Sequence, residues 1–147
     1  MTNNSSRALG REIEFSTFRV GGALFGINLL KIQEINKHLE VTKVPQAQDN
    51  IKGILNLRGR IVTIIDLGRK LALEPVKTSS ENRNVIVNSQ NEYIGLRVDS
   101  IEGVVSAGQT EIEPAPANVN GVKGQFLEGV LKTDTQLIGI LDIDKIL

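Results

Sequence analysis

Cysteine is absent from this chain of 147 residues, which also has one histidine and no tryptophan. Without thiolates, and with a single imidazole at His38, the usual ligand sets of a zinc site cannot be assembled. A disulfide framework is excluded as well, and a chain without cysteine suits a reducing cytoplasm. We therefore expect a cytoplasmic protein that holds no metal and no cofactor, and we interpret His38 as an exposed loop residue.

Aromatic residues and net charge are also scarce. Phe, Tyr and Trp make up 3% of the chain, and 17 Lys and Arg residues balance 17 Asp and Glu residues. Nucleic-acid binding needs aromatic platforms for bases or a concentrated positive field, and binding to an anionic membrane needs such a field too. The composition disfavours a small barrel that binds single-stranded nucleic acid, which is one alternative for this chain.

Long apolar runs and catalytic motifs are missing. No apolar segment approaches the ~18 residues of a transmembrane helix, and the N-terminus lacks the apolar region of a signal peptide. Residues 1–13 are polar and predicted to be a flexible lead-in. Neither a phosphate-binding glycine loop nor a G-x-S-x-G motif occurs. We expect no catalytic residue, no small-molecule substrate and no membrane insertion, which disfavours the alternative of an uncharacterised hydrolase.

Two halves of the chain share a pattern, which indicates an internal duplication. FGINLLKIQEI in the first half aligns with IGLRVDSIEGV in the second, and GILNLRGRIVTIIDL aligns with GVLKTDTQLIGILDI after seven extra residues. The matched pairs are Gly26 and Gly95, Pro45 and Pro114, Gly53 and Gly129, and Asp66 and Asp142. Both aspartates precede a predicted helical turn, so each is interpreted as an N-cap and not as half of a catalytic pair.

Both halves are predicted to be β-structure, because short β-rich runs are separated by turn residues. The predicted strand pairs are 13–20 with 23–27, 54–57 with 61–65, 85–87 with 93–98, and a last pair around Leu131 and Leu137. Helical turns are predicted at 49–51, 67–71 and 144–147. The predicted fold class is therefore all-β, with two similar small barrels.

The segment GILNLRGRIVTIIDL is mostly apolar but is interrupted at its centre by residues 58–60. Gly59 is explained by a hairpin turn, but such turns usually begin with Asn or Asp. The matching tip in the second half has a different sequence, so Arg58 is not needed to form the turn. A guanidinium can bind carboxylates in bidentate fashion, and arginine is enriched among interface hot spots. A partner contact and a solvated turn residue both remain open for Arg58.

Several motifs together resemble the CheW-type domain, a bacterial chemotaxis adaptor, over residues 14–147. They are NLRG followed by an apolar strand that ends in DL, and GL followed by VD. The resemblance implies two SH3-like, five-stranded barrels around a shared core, and a non-enzymatic scaffold. Its implied partners are the regulatory domain of the histidine kinase CheA and the cytoplasmic tip of methyl-accepting chemoreceptors, in membrane-associated arrays. An adaptor of another chemotaxis-like pathway, or a fragment of a larger adaptor-receiver protein, is the alternative.

Five positions match binding residues of that family: Ile32, Glu34, Gly53, Arg58 and Val104. The resemblance implies that Val104 lines the apolar groove for the receptor tip, and that Ile32 touches that groove or the kinase. The resemblance also implies that Arg58 and Glu34 make polar contacts. It implies that Gly53 lies at a close approach that a side chain would obstruct. By residue type alone, Ile32 and Val104 are equally typical of a core.

Two positions depart from the family pattern. Thr63 stands where proline is common, and Gly68 stands where arginine is common. Because glycine costs about 1 kcal/mol in a helix relative to alanine, Gly68 is predicted to loosen the helical turn that follows the hairpin.

Overall fold

The computed structural model describes residues 12–147, which form two five-stranded sheets and a short ribbon. The first sheet contains, in spatial order, β11 (Leu127–Lys132), β12 (Leu137–Leu141), β2 (Ala23–Asn28), β1 (Glu12–Val20) and β8 (Ser100–Gly108). The second sheet contains β3 (Ile32–Asn36), β6 (Arg83–Ser89), β7 (Glu92–Val98), β5 (Arg60–Asp66) and β4 (Ile51–Leu57). The all-β class predicted from the sequence is confirmed.

Short elements complete the described chain. The ribbon pairs β9 (Asn118–Val119) with β10 (Val122–Lys123), and the α-helices are α1 (Leu67–Lys70) and α2 (Ile143–Ile146). Turns of 3-10 helix lie at Leu29–Lys31, Gln109–Glu111 and Gly124–Phe126. No helix within residues 12–147 is long and apolar enough to cross a membrane.

Both faces of the central strands are apolar, because each sheet packs on its partner and also encloses a small core of its own. Phe18 and Phe25 of the first sheet join Val85 and Leu96 of the second in one shared cluster, all at 0% exposure. Ile86, between two residues of that cluster, points the other way into the interior of the second barrel. The shared core expected for this fold is therefore present.

Each sheet closes into a barrel through an isolated bridge between its edges. Thr42, in the chain that follows β3, exchanges backbone hydrogen bonds of 2.8 and 2.9 Å with Ile54 of β4. Glu113, in the chain that follows β8, does the same with Val130 of β11 at 2.8 Å. The line along which each barrel closes, its seam, thus lies between the two edge strands of its sheet. The two seams occupy equivalent places in the two barrels.

The duplication is visible in the strand register. Gly95 lies beside Ile64 on the parallel neighbour strand, and Gly26 lies beside Ile140 in the same way. The match between the two prolines is wrong, because the bridge residues Thr42 and Glu113 occupy equivalent places and put Pro45 and Pro114 two residues out of step. The seven extra residues of the second half are therefore two separate insertions at different places in the chain, and not a single one.

The barrels do not coincide with the two halves of the sequence. Strands β1 and β2 come from the first half, yet they lie in the middle of a sheet with β8, β11 and β12 from the second half. Strands β3, β4 and β5 come from the first half and share a sheet with β6 and β7 from the second. Each half therefore contributes strands to both barrels.

The helix caps agree with the sequence prediction. The Asp66 carboxylate accepts a hydrogen bond from the Arg69 N–H at 3.1 Å, and Asp142 accepts one from the Lys145 N–H at 3.3 Å. The turn predicted at 49–51 is present as a single hydrogen-bonded turn, in which the Ile51 N–H donates to the Gln48 carbonyl at 3.0 Å. Ile51 also opens β4, because the ladder with β5 begins there, at the pair with Ile65.

Gly68 is buried in α1, at a close approach of the chain that follows the helix. A Cβ at this position would lie 2.1 Å from the carbonyl oxygen of Glu74, and the Gly68 carbonyl accepts a hydrogen bond from Leu73 at 2.7 Å. The missing side chain allows the chain after α1 to fold back over the helix. Glycine thus has a steric reason at this position, and the loosening of the helical turn stays a prediction.

Two predictions concern the N-terminal part of the chain. β1 begins at Glu12, so residues 12–13 of the predicted lead-in belong to a strand, and the rest of the lead-in lies outside the described residues. His38 is exposed in the connection after β3, where its N–H donates to Asn36 Oδ1 at 3.2 Å. The prediction of an exposed loop histidine is confirmed.

Candidate protein-binding site

Arg58 occupies the first position of a two-residue turn between β4 and β5. The strands pair as far as Leu57 and Arg60, and the φ angles of Arg58 and Gly59 are +52° and +82°. Positive φ at both positions defines a type I′ turn, in which Asn-Gly is preferred. An arginine in the left-handed region costs roughly 1 kcal/mol. Arg58 therefore lies where the chemistry of the turn disfavours it.

The other residues of the NLRG motif build the turn. Asn56 Oδ1 accepts a hydrogen bond from the Gly59 N–H at 2.9 Å. Leu57 is 8% exposed and anchors the hairpin in the core of the second barrel. The side chain of Arg58 is 72% exposed, so it is the one member of the motif that faces outward without serving the turn.

An ion pair joins Arg58 to Glu34 across the seam of the second barrel. Arg58 Nη2 donates to Glu34 Oε1, and Asn36 Nδ2 donates to Glu34 Oε2 at 2.9 Å. The hydrogen bond from Asn36, and then the one from Arg58, lowers the pKa of the Glu34 carboxyl below its usual range. Glu34 is therefore an ionised acceptor at neutral pH, and it holds the Arg58 guanidinium over the gap between β3 and β4.

A cavity of about 280 Å³ opens beside this ion pair. Leu57 and the fully buried Ile86 contribute apolar lining, and Arg60 stacks on Tyr93 with its guanidinium carbon 4.1 Å from the ring centroid. Two guanidinium groups against one carboxylate leave the lining positive. The cavity suits a partner side chain that combines a carboxylate with an apolar stem.

The structure brings together only some of the predicted site residues. Arg58 and Glu34 form the ion pair, and Ile32 begins the same strand as Glu34, partly buried against the shared core. Val104 lies on β8, the edge strand of the first sheet, and is 57% exposed. Gly53 is buried in β4. Val104 and Gly53 both lie outside the lining of the cavity.

The obstruction expected at Gly53 is found within the chain itself. A Cβ there would lie 2.4 Å from the carbonyl oxygen of Thr42, which forms the bridge that closes the second barrel. The closure of the second barrel therefore explains the glycine at position 53 without a contact to a partner.

Three residues near the ion pair were missed by sequence reasoning: Asn36, Asn84 and Arg97. Asn84 and Arg97 are 0% and 4% exposed and lie at the ends of apolar strands. A polar residue at a strand position that alternates with buried apolar ones is the signal that could have identified them.

No group of three or more potential metal ligands occurs among residues 12–147. The paired aspartates of the sequence analysis serve as helix caps at two separate places. The fold and the site instead define a class of protein, a pair of small β-barrels with an exposed, ion-paired arginine at the tip of a hairpin.

Comparison with known families identifies the family. The family model of the CheW-like domain matches residues 14–147. The chain therefore belongs to the CheW-like family, and it is a non-enzymatic adaptor of the chemotaxis type.

Curated relatives and a solved structure agree with this assignment. The chain is 34% identical over 134 residues to chemotaxis protein CheW of Klebsiella aerogenes, which covers 91% of this chain and 81% of the relative. It is 30% identical over 130 residues to chemotaxis protein CheW of Bacillus subtilis, with 88% and 83% covered. The crystal structure of scaffolding protein TtCheW from Thermoanaerobacter tengcongensis is similar with a TM-score of 0.83 and 31% identity, over 89% of this chain and 84% of that one.

Proposed function

We propose that this chain joins the regulatory domain of the histidine kinase CheA to the cytoplasmic tip of chemoreceptors, in the cytoplasm and within membrane-associated arrays. The observation that carries the proposal is Arg58. Its side chain is 72% exposed and fixed by an ion pair, at a turn position that favours a different residue. A residue kept against the preference of its turn is best explained by a contact that the fold does not need.

Exposed apolar residues on the two edge strands support a second contact. Val104 on β8 is 57% exposed and Ile35, its equivalent on β3, is 38% exposed. Edge strands with outward apolar side chains are suited to pairing with another protein, and natural proteins otherwise protect them. We assign Val104, together with Ile32, to the apolar part of the partner surface, and Arg58 with Glu34 to its polar part.

Replacing Arg58 tests the polar part. Arg58→Asn removes the guanidinium but suits a type I′ turn, so the relief of turn strain offsets the lost exposed ion pair and the free energy of unfolding should change by less than about 1 kcal/mol. Arg58→Asp also places a carboxylate beside Glu34. We expect roughly tenfold weaker binding to at least one partner for Arg58→Asn, and a larger loss for Arg58→Asp.

Calorimetry with a CheA regulatory domain and a receptor-tip fragment from the same organism measures both affinities. Asp134→Asn, an exposed change in the matching hairpin between β11 and β12, is the control and should bind as the wild type does. Wild-type affinity of both Arg58 variants for both partners would contradict the role of Arg58. A wild-type chain that binds neither partner would contradict the proposed function itself.

A further inference from the structure

A row of four polar residues crosses the second sheet. Asn36 on β3 faces Asn84 on β6, Asn84 faces Arg97 on β7, and Arg97 lies beside Asp66 on β5. Asn84, Arg97 and Asp66 are 0%, 4% and 3% exposed. Buried polar side chains are costly unless they are paired, so a complete row across a sheet calls for a physical reason.

Hydrogen bonds connect this row to the candidate binding site. Arg97 Nε donates to Asn84 Oδ1 at 2.6 Å, and Asn84 Nδ2 donates to Asn36 Oδ1 at 3.0 Å. Asn36 Nδ2 then donates to Glu34 Oε2 at 2.9 Å, and the other oxygen of Glu34 accepts from Arg58. A continuous chain of side chains thus runs from a buried guanidinium to an exposed one.

The direction of the chain is set at its buried end. Arginine has donors and no acceptor, so Asn84 must turn its oxygen toward Arg97. Its amide nitrogen then faces Asn36 and requires the oxygen of that side chain, which leaves the Asn36 nitrogen to face Glu34. An asparagine side chain can present either atom, and Arg97 acts here together with the His38 backbone. The His38 N–H donates to Asn36 Oδ1 and the His38 carbonyl accepts from Asn84 Nδ2, so all three contacts favour the direction in which Glu34 meets a donor.

Charge strengthens the same arrangement. Burial lowers the pKa of Arg97 and the Asp66 carboxylate opposes that shift, and arginine stays protonated in proteins. The chain therefore begins at a cation and ends at a carboxylate, and each hydrogen bond polarises the next one. Every donor along it points toward Glu34.

We propose that Arg97 and Asn84 are positioning residues of the binding site. They fix the amide of Asn36, which orients the Glu34 carboxylate and through it the Arg58 guanidinium. The consequence for binding rests on the proposed function, whereas the consequence for Glu34 is a property of the free protein.

The same two residues also hold the connection after β3. Asn84 Nδ2 donates to the His38 carbonyl at 2.9 Å, and Arg97 Nη2 donates to the Leu39 carbonyl at 3.2 Å. A purely structural role would end there. The test therefore needs a readout at Glu34 that a loss of stability alone does not move.

The experiment compares the Glu34 pKa in the chain of 147 residues and its variants by NMR titration of the side-chain carboxyl. The double variant Asn84→Val and Arg97→Val removes both buried partners together, which leaves fewer unpaired groups than either change alone. Arg97→Gln is the milder variant, because glutamine can present an oxygen or a nitrogen to Asn84 and leaves the direction to the backbone of His38 alone. Arg58 and His38, which both act to lower the Glu34 pKa, are retained in both variants.

We expect the Glu34 pKa to rise in both variants relative to wild type, and binding to the partner that depends on Arg58 to weaken roughly threefold to tenfold. Val62→Ala is the control, because Val62 is fully buried in the same barrel and takes no part in the chain of hydrogen bonds. It should lower stability and leave the Glu34 pKa unchanged.

The outcomes separate the two proposals. An unchanged Glu34 pKa in a folded variant overturns the positioning role, and so does an equal rise in Val62→Ala. If the double variant does not fold, Arg97→Gln decides by the same criterion. Failure of the wild-type chain to bind either partner would remove the proposed function, yet the titration of the free protein would still decide whether Arg97 positions Glu34.

Discussion

Replacing Gly53 with alanine is expected to lower the free energy of unfolding by roughly 3 kcal/mol or more. A methyl group at this position would lie 2.4 Å from the carbonyl oxygen of Thr42, and φ is +154°. Backbone atoms cannot move aside as the end of a side chain can. The bridge between Thr42 and Ile54, which closes the second barrel, must therefore open. Chemical denaturation with a fluorescence or circular dichroism readout measures the loss.

Gly103 provides a matched control for this change. Its φ is also +154°, but no heavy atom lies within 4 Å of the position of an added Cβ. Gly103→Ala therefore measures the backbone cost alone, which we expect to be about 1–2 kcal/mol. Equal losses in the two variants would contradict the steric explanation and reopen a direct contact between Gly53 and a partner.

Local chemistry was sufficient to predict much of the fold. Gly21 and Gly22 between two β-rich runs predicted the hairpin of β1 and β2, and Asp66 and Asp142 predicted the helix caps. These features depend on residues close together in the chain, so the sequence contains all the information that they need. The turn near 49–51 is local in the same way, because Ile51 donates to the Gln48 carbonyl three residues earlier. The start of β4 at Ile51 instead depends on pairing with β5, a distant segment.

Long-range pairing could not be read from the pattern. The alignment of Gly26 with Gly95 showed that one unit is used twice, but it did not show which strand lies beside each copy. In the structure Gly26 lies beside Ile140, more than a hundred residues away. A β-strand pattern identifies the buried faces of a strand and leaves its neighbours undetermined.

The candidate site was predictable in its members and not in its connections. The family resemblance named Arg58 and Glu34, and the structure adds that they pair with each other. Asn36, Asn84 and Arg97 escaped notice because they come from three strands, and each residue type is most often exposed. Only the register of β3, β6 and β7 places them side by side.

Dividing the chain between residues 77 and 78 is expected to leave neither fragment folded. This exposed segment joins the two halves of the sequence, and each half contains only part of either sheet. Each fragment lacks pairing partners for its central strands and exposes the face that forms the shared core. We expect no cooperative thermal transition for either fragment alone and a recovered transition for the equimolar mixture, measured by circular dichroism.

A fragment of residues 32–98 is the appropriate control, because it has a similar length and contains all five strands of the second sheet in one segment. It should show more strand signal than either half, although its shared-core face is uncovered. The reason is that a barrel requires its central strands β7 and β5, which only this fragment keeps together with both edges. A cooperative transition in an isolated half would show that one copy of the repeat folds by itself, and the exchange of strands between the barrels would then be dispensable for folding.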